Sequence, residues 1–94
     1  MNMINRPYKE ESINENECIR TFDSNVSQAE LEWHVDKEDR LIEIIENDGD
    51  WQFQIDNKLP ITLDIAAEYY IPKETYHRIL KGSGKLKVKI KKLR

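Results

Sequence analysis

Residues 41–55 read LIEIIENDGDWQFQI, and this stretch decides the fold class. Its first five residues are mostly branched aliphatics, which fit a pleated, half-buried surface. Asn47-Asp48-Gly49-Asp50 follows, a turn signal in which Asp-Gly suits positive φ and predicts a hairpin. Trp51, Phe53 and Ile55 then alternate with Gln52 and Gln54, the period of two of a strand with one buried face.

The same pattern extends outward. On the N-terminal side, Cys18, Arg20 and Phe22 alternate with Ile19 and Thr21, and Leu31, Trp33 and Val35 alternate with polar residues. Ser27 to Glu30 matches a capping box, so one short helical turn can stand there. On the C-terminal side, Asp56-Asn57-Lys58 is a second tight turn, and Pro60 marks an edge strand or a strand start. Tyr69 to Ile71 and Tyr76 to Leu80 read as strands, the second closed by Gly82-Ser83-Gly84. Leu86, Val88 and Ile90 alternate with lysines, which predicts a terminal edge strand with lysine on its solvent face. About eight short antiparallel strands with turns between them predict an all-β sandwich or barrel. Residues 1–16 are polar and rich in Asn and Glu, and read as a flexible arm with Ile4, Tyr8 and Ile13 as docking points. Residues 17–94 form the domain.

Composition narrows the class. The chain has 94 residues, enough for one core. Three Gly and three Pro exclude collagen-like and low-complexity classes, and one cysteine, Cys18, excludes a disulfide scaffold. Cys18 has no base partner in sequence and reads as an inert thiol. No apolar run reaches the ~18 residues of a membrane span, and residues 1–16 hold no apolar segment of leader length. The expected setting is therefore a reducing, cytoplasmic compartment without membrane contact. The net charge of −3 divides unevenly: residues 73–94 carry nine Lys/Arg and one acid, residues 1–72 six Lys/Arg and seventeen acids. The basic run lacks the aromatic interleaving of a nucleic-acid surface, so nucleic acid is not expected as a partner. Exposed sheet edges and the opposed charges of body and tail predict a homodimer.

The chain has two histidines, His34 and His77. His34 and Asp36 are two apart, so on an extended strand their side chains share a face. His-x-Asp with a distant His is the ligand set of a 2-His-1-carboxylate triad. The bland reading puts His34 and Asp36 on a solvated face. No spacing suggests Ser-His-Asp catalysis, and the catalytic residues are unknown.

The order of these features resembles the cupin family of small jelly-roll barrels. Their first motif reads G-x5-H-x-H-x3,4-E-x6-G and their second G-x5-P-x-G-x2-H-x3-N. His34 matches the first histidine, Asp36 takes the place of the second, and the Asn47–Gly49 turn stands where the first motif ends. Pro72 and His77 keep the second motif's spacing, while Glu74 stands at its glycine and Lys81 at its asparagine. Arg40 falls where the family glutamate is expected. The resemblance implies a single-domain, cupin-like jelly-roll barrel with a site inside it. It implies a divalent metal, Fe(II), Mn(II), Ni(II) or Zn(II), at His34, Asp36 and His77. A small-molecule ligand would meet Arg40, Trp51, Phe53 and Tyr69. Arg40 paired with Asp36 would instead favour a metal-free binding or assembly module. Iron and 2-oxoglutarate oxygenases also use His-x-Asp…His, with a basic residue such as Arg78 or Lys81 beyond the second histidine.

Overall fold

The computed structural model describes residues 6–93. Ile4 lies outside them. Among these described residues eight strands run in chain order: β1 Lys9–Ser12, β2 Glu17–Phe22, β3 Asp39–Asn47, β4 Gln52–Ile55, β5 Ile61–Thr62, β6 Glu68–Ile71, β7 His77–Leu80 and β8 Leu86–Leu93. A 3-10 turn, Gln28–Glu30, precedes β3. It starts where the capping-box reading places it, with the Ser27 N–H donating to Glu30 Oε2 at 3.0 Å. Among the described residues no helix is long and apolar enough to cross a membrane.

The strands form two antiparallel sheets, ordered β1-β2-β8-β3-β6 and β5-β4-β7. This is the expected all-β, jelly-roll type of architecture, with one correction: among the described residues the sheets stay separate and open rather than closing into a barrel. Period-two patterning accounts for the core. Phe22 from β2, Ile44 from β3, Leu86, Val88 and Ile90 from β8, and Ile71 from β6 point inward from the larger sheet. Trp51 and Phe53, beside and on β4, meet them from the smaller one. Trp51 is fully buried, and its indole Nε1–H donates to the Gly84 carbonyl at 3.0 Å.

Three local expectations need correction. The Asn47–Asp50 turn does form, with Gly49 at φ 97° and Asp50 at φ 61°. It joins β3 to β4 in different sheets, however, so it is a crossing between layers rather than a hairpin. The Asn47 side chain holds that crossing by accepting from the Trp51 N–H at 2.9 Å and donating to the Trp51 and Leu63 carbonyls at 3.1 and 2.7 Å. β8 is not an edge. It sits between β2 and β3, and Lys87, Lys89 and Lys91 line the outer face of the larger sheet's middle strand. Residues 31–36 form no ladder strand. Only His34 bridges, to His77.

Two further features shape the interior. Ile45 is the extra residue of a bulge, since Ile44 pairs with Val88 and Glu46 with Lys87. The bulge leaves Glu46 on the outer side with Ile45 and returns Asn47, opposite the buried Leu86, to the inner face that Arg40, Ile42 and Ile44 share. At the other edge, Lys9–Ser12, within the segment read as a loose arm, pairs with β2 through the register Lys9↔Thr21 to Ser12↔Cys18. Polar composition hid this strand because an edge needs only one hydrogen-bonded neighbour and little burial.

Candidate metal centre

His34 and His77 are 43 positions apart, and their backbones meet directly. The His34 N–H donates to the His77 carbonyl and the His77 N–H to the His34 carbonyl, each at 3.0 Å. This antiparallel bridge brings both side chains to the same side, with ring centroids 4.3 Å apart. Asp36 is two residues beyond His34, and its carbonyl accepts from the Glu74 N–H at 2.8 Å. One ligand atom from each of His34, Asp36 and His77 falls within 4.8 Å of the others. Asp36 and His77 are buried, whereas His34 is exposed and stands on the solvent side.

The second-motif loop explains the placement of His77. Glu74, at the glycine position of the resembled motif, has φ 59°. That is the left-handed region, which favours glycine and which a residue with a side chain rarely adopts. The Lys73 N–H also donates to Asp39 Oδ1 at 2.8 Å, tying this loop to the start of β3.

Hydrogen bonding sets the chemistry of the rings. His34 Nδ1 lies 2.9 Å from the Glu32 carbonyl and His77 Nδ1 lies 2.7 Å from the Thr75 carbonyl. A carbonyl only accepts, so each Nδ1 carries the hydrogen, and in the neutral ring each Nε2 presents a lone pair. Those Nε2 atoms face Asp36: His77 Nε2 is 3.3 Å from Oδ2 and His34 Nε2 is 3.9 Å from Oδ1. Asp36 Oδ2 is buried and has no donor while both rings are neutral. Three electron-pair donors thus converge on one point, an arrangement that a cation or a proton satisfies. Burial works to raise the Asp36 pKa. The hydrogen bond from a protonated His77 and the charges of Arg40, His77 and His34 outweigh it, so the carboxyl is held below its ordinary value.

Arg40 enters on the inner face of β3. Its Nη2 and Nε are 3.0 and 3.2 Å from Glu38 Oε1, and its Nη1 is 3.4 Å from Asp36 Oδ1. Its shorter contacts go to Glu38, which leaves Asp36 Oδ2 directed at His77.

The cluster opens into a cavity of about 390 Å³ between the sheets. Ile42, Leu63, Ile79 and Ile90 are among its apolar walls, and Arg40, Phe53 and Tyr69 also line it. Trp51 does not, because it is packed into the core. Tyr69 turns its hydroxyl to the β5–β6 connection, accepting from the Asp64 N–H at 2.9 Å. Arg78 is not part of the lining: its guanidinium lies 4.6 Å over the Trp33 ring and its Nε donates to Gln54. Arg20 lines the cavity too, and sequence reasoning missed it although its alternation with Cys18 and Phe22 already placed it on the inner face.

No family model and no curated protein matches the sequence. Solved structures do. A cupin-2 domain containing protein from Shewanella frigidimarina is 19% identical with a TM-score of 0.63, over 97% of this chain and 85% of that one. The DMSP lyase DddQ from Ruegeria pomeroyi is 10% identical with a TM-score of 0.70, over 83% of this chain and 37% of that one. Fe(II) HppE is 12% identical with a TM-score of 0.65, over 82% of this chain and 41% of that one. The chain spans little more than a third of the length of the DMSP lyases it matches. At these identities the likeness shows the fold, and the fold is that of the cupins.

Proposed function

We propose that this chain is a small cupin-fold domain that holds one divalent metal at His34, Asp36 and His77 and receives a small molecule in the adjoining cavity. The observation that carries the reading is the convergence of two Nε2 lone pairs and a buried, donor-less carboxylate oxygen. The residues fit such an ion. Both imidazoles are held through Nδ1 by backbone carbonyls, as in other metal-binding histidines. Mixed imidazole and carboxylate donors suit Fe(II), Mn(II), Ni(II) or Zn(II). The bound ion would supply Lewis acidity and open coordination positions. The chain's own residues do the rest. Glu32 and Thr75 carbonyls fix the tautomers, Arg40 orients Asp36, and the apolar walls exclude water from the ligand's body. The fold likeness to Fe(II) HppE supports the reading without choosing a reaction.

Isothermal titration of the metal-free protein with Zn(II) or Mn(II) tests it. One ion per chain should bind, and His77→Ala should weaken binding by more than the roughly 10–100-fold that losing an outer-shell partner costs. Equal binding by both proteins would place any metal elsewhere.

A second reading is favoured by one contact, Arg40 Nη1 at 3.4 Å from Asp36 Oδ1. With His77 protonated, Arg40 and His77 would neutralise Asp36 without a metal, leaving a binding module. The same titration separates the two.

A further inference from the structure

Arg20 is a cation on the inner face of a sheet. It sits on β2 opposite Val88, between Cys18 and Phe22, with its side chain 18% exposed. A guanidinium in such a place needs a partner, since water is partly excluded from its charge. Its Nε donates to Glu10 Oε1 at 2.7 Å, and its Cζ lies 4.3 Å from the centre of the Tyr8 ring. Glu10 and Tyr8 thus fix the plane of the guanidinium from one edge and one face. Among the described residues neither Nη atom of Arg20 has a hydrogen-bond partner. Arg6 Nη1 stands 3.7 Å from the other Glu10 oxygen, so two guanidiniums share one carboxylate and the group keeps a net positive charge.

Arg40, the other guanidinium of the cavity, has its donors committed to Glu38 and Asp36. Arg20 is therefore the cavity's available fork. Phe22, on the same face of β2, and Val88, opposite Arg20, give the lining apolar surface there, while Glu30, Glu32 and Asp36 are the acids of the same cavity. We infer that Arg20 anchors the anionic group of the cavity's ligand, whose class is a small carboxylate with an apolar body. The planar Nη edge matches a carboxylate's two oxygens, and the aliphatic wall accepts the body. This inference rests on the reading of the cavity as a ligand site. It does not require the metal.

The test uses the full chain in excess chelator, so that no metal contributes. Calorimetric titrations compare hexanoate, 1-hexanol and acetate. Hexanoate should bind about tenfold or more tighter than 1-hexanol, the scale of one charge-assisted hydrogen-bonded pair. Acetate should bind weakly, because it lacks the body. Arg20→Gln should bring hexanoate down to the level of 1-hexanol while leaving 1-hexanol unchanged, and Arg20→Lys should keep part of the preference. If Arg20→Gln does not fold, the wild-type comparison and Arg20→Lys still decide. Equal binding of hexanoate and 1-hexanol by the wild type, no binding of either, or a preference that survives in Arg20→Gln would overturn the inference. Metal titration of the same preparation reports on the metal centre separately, so each idea can fail alone.

Discussion

His77 Nε2 stands 3.3 Å from Asp36 Oδ2, and these two atoms meet as acceptors because His77 Nδ1 donates to the Thr75 carbonyl at 2.7 Å. Such a contact is repulsive until something positive enters it. The backbone sets this contact: the His34–His77 bridge and the Glu74–Asp36 hydrogen bond position all three residues through main-chain atoms. The first prediction concerns the cation already beside it.

Arg40 holds Asp36 Oδ1 and competes for the charge that a metal needs. Arg40→Glu removes that competitor and adds a carboxylate on the inner face of β3. Zn(II) affinity, measured by calorimetry, should rise by about tenfold or more, since a neighbouring like charge opposes cation binding. An unchanged affinity in a folded variant would show that Arg40 is coupled to Glu38 alone.

Glu74 carries a side chain in the left-handed region at φ 59°. Such a conformation costs roughly 1–2 kcal/mol for a residue with a Cβ. Glu74→Gly relieves it, and part of the gain is offset by the greater freedom of glycine in the unfolded chain. The urea midpoint should rise, by up to about 1 kcal/mol of stability. A drop would mean that the Glu74 side chain contributes more than its backbone strain costs.

Asp36 gives a pH signature. Its folded-state pKa lies below the ordinary value of 3.8. A carboxyl whose pKa is depressed on folding stabilises the fold fully above the unfolded value, and that stability is lost as pH falls through the folded value. Urea midpoints of the metal-free protein should therefore decline below about pH 4, and Asp36→Asn should decline less steeply. Parallel declines would assign the acid sensitivity to other carboxylates such as Glu10, which the Arg20 hydrogen bond also holds low.

Much of the fold was legible because it is local. The alternation of Leu86, Val88 and Ile90 with lysines names an inward face, and those three residues are buried. The turns at Gly49 and Asn57 follow from residues that tolerate positive φ. Partner choice is not local. Asn47 to Asp50 has the chemistry of a hairpin, yet β3 pairs with β6 and β8 and leaves β4 to the other sheet. The lysines of β8 look like an edge device, but they flank a middle strand whose outer face meets Glu17 and Glu43 of the neighbouring strands. Trp33 and Val35 alternate as a strand would, although the segment pairs only at His34.

For the site, His34, Asp36 and His77 were legible from spacing and order, and the structure brings them together. The role of Trp51 was not, because an aromatic on an inner face serves core and cavity alike, and neighbouring side chains decide between them. Arg20 was passed over because an arginine in an alternating strand is ordinarily assigned to solvent. Its partners Tyr8 and Glu10 come from a segment whose polar composition predicts no strand.

The central claim is that the two Nε2 atoms and the Asp36 carboxylate receive a divalent cation. Two-bond proton–nitrogen correlation spectra of the imidazole rings test it most directly. In metal-free protein, each ring in its neutral form should show a protonated Nδ1 and an unprotonated Nε2. One equivalent of Zn(II) should shift Nε2 of both His34 and His77 and leave each Nδ1 protonated. Ring spectra unchanged by Zn(II), or a shift at Nδ1 instead, would contradict the account.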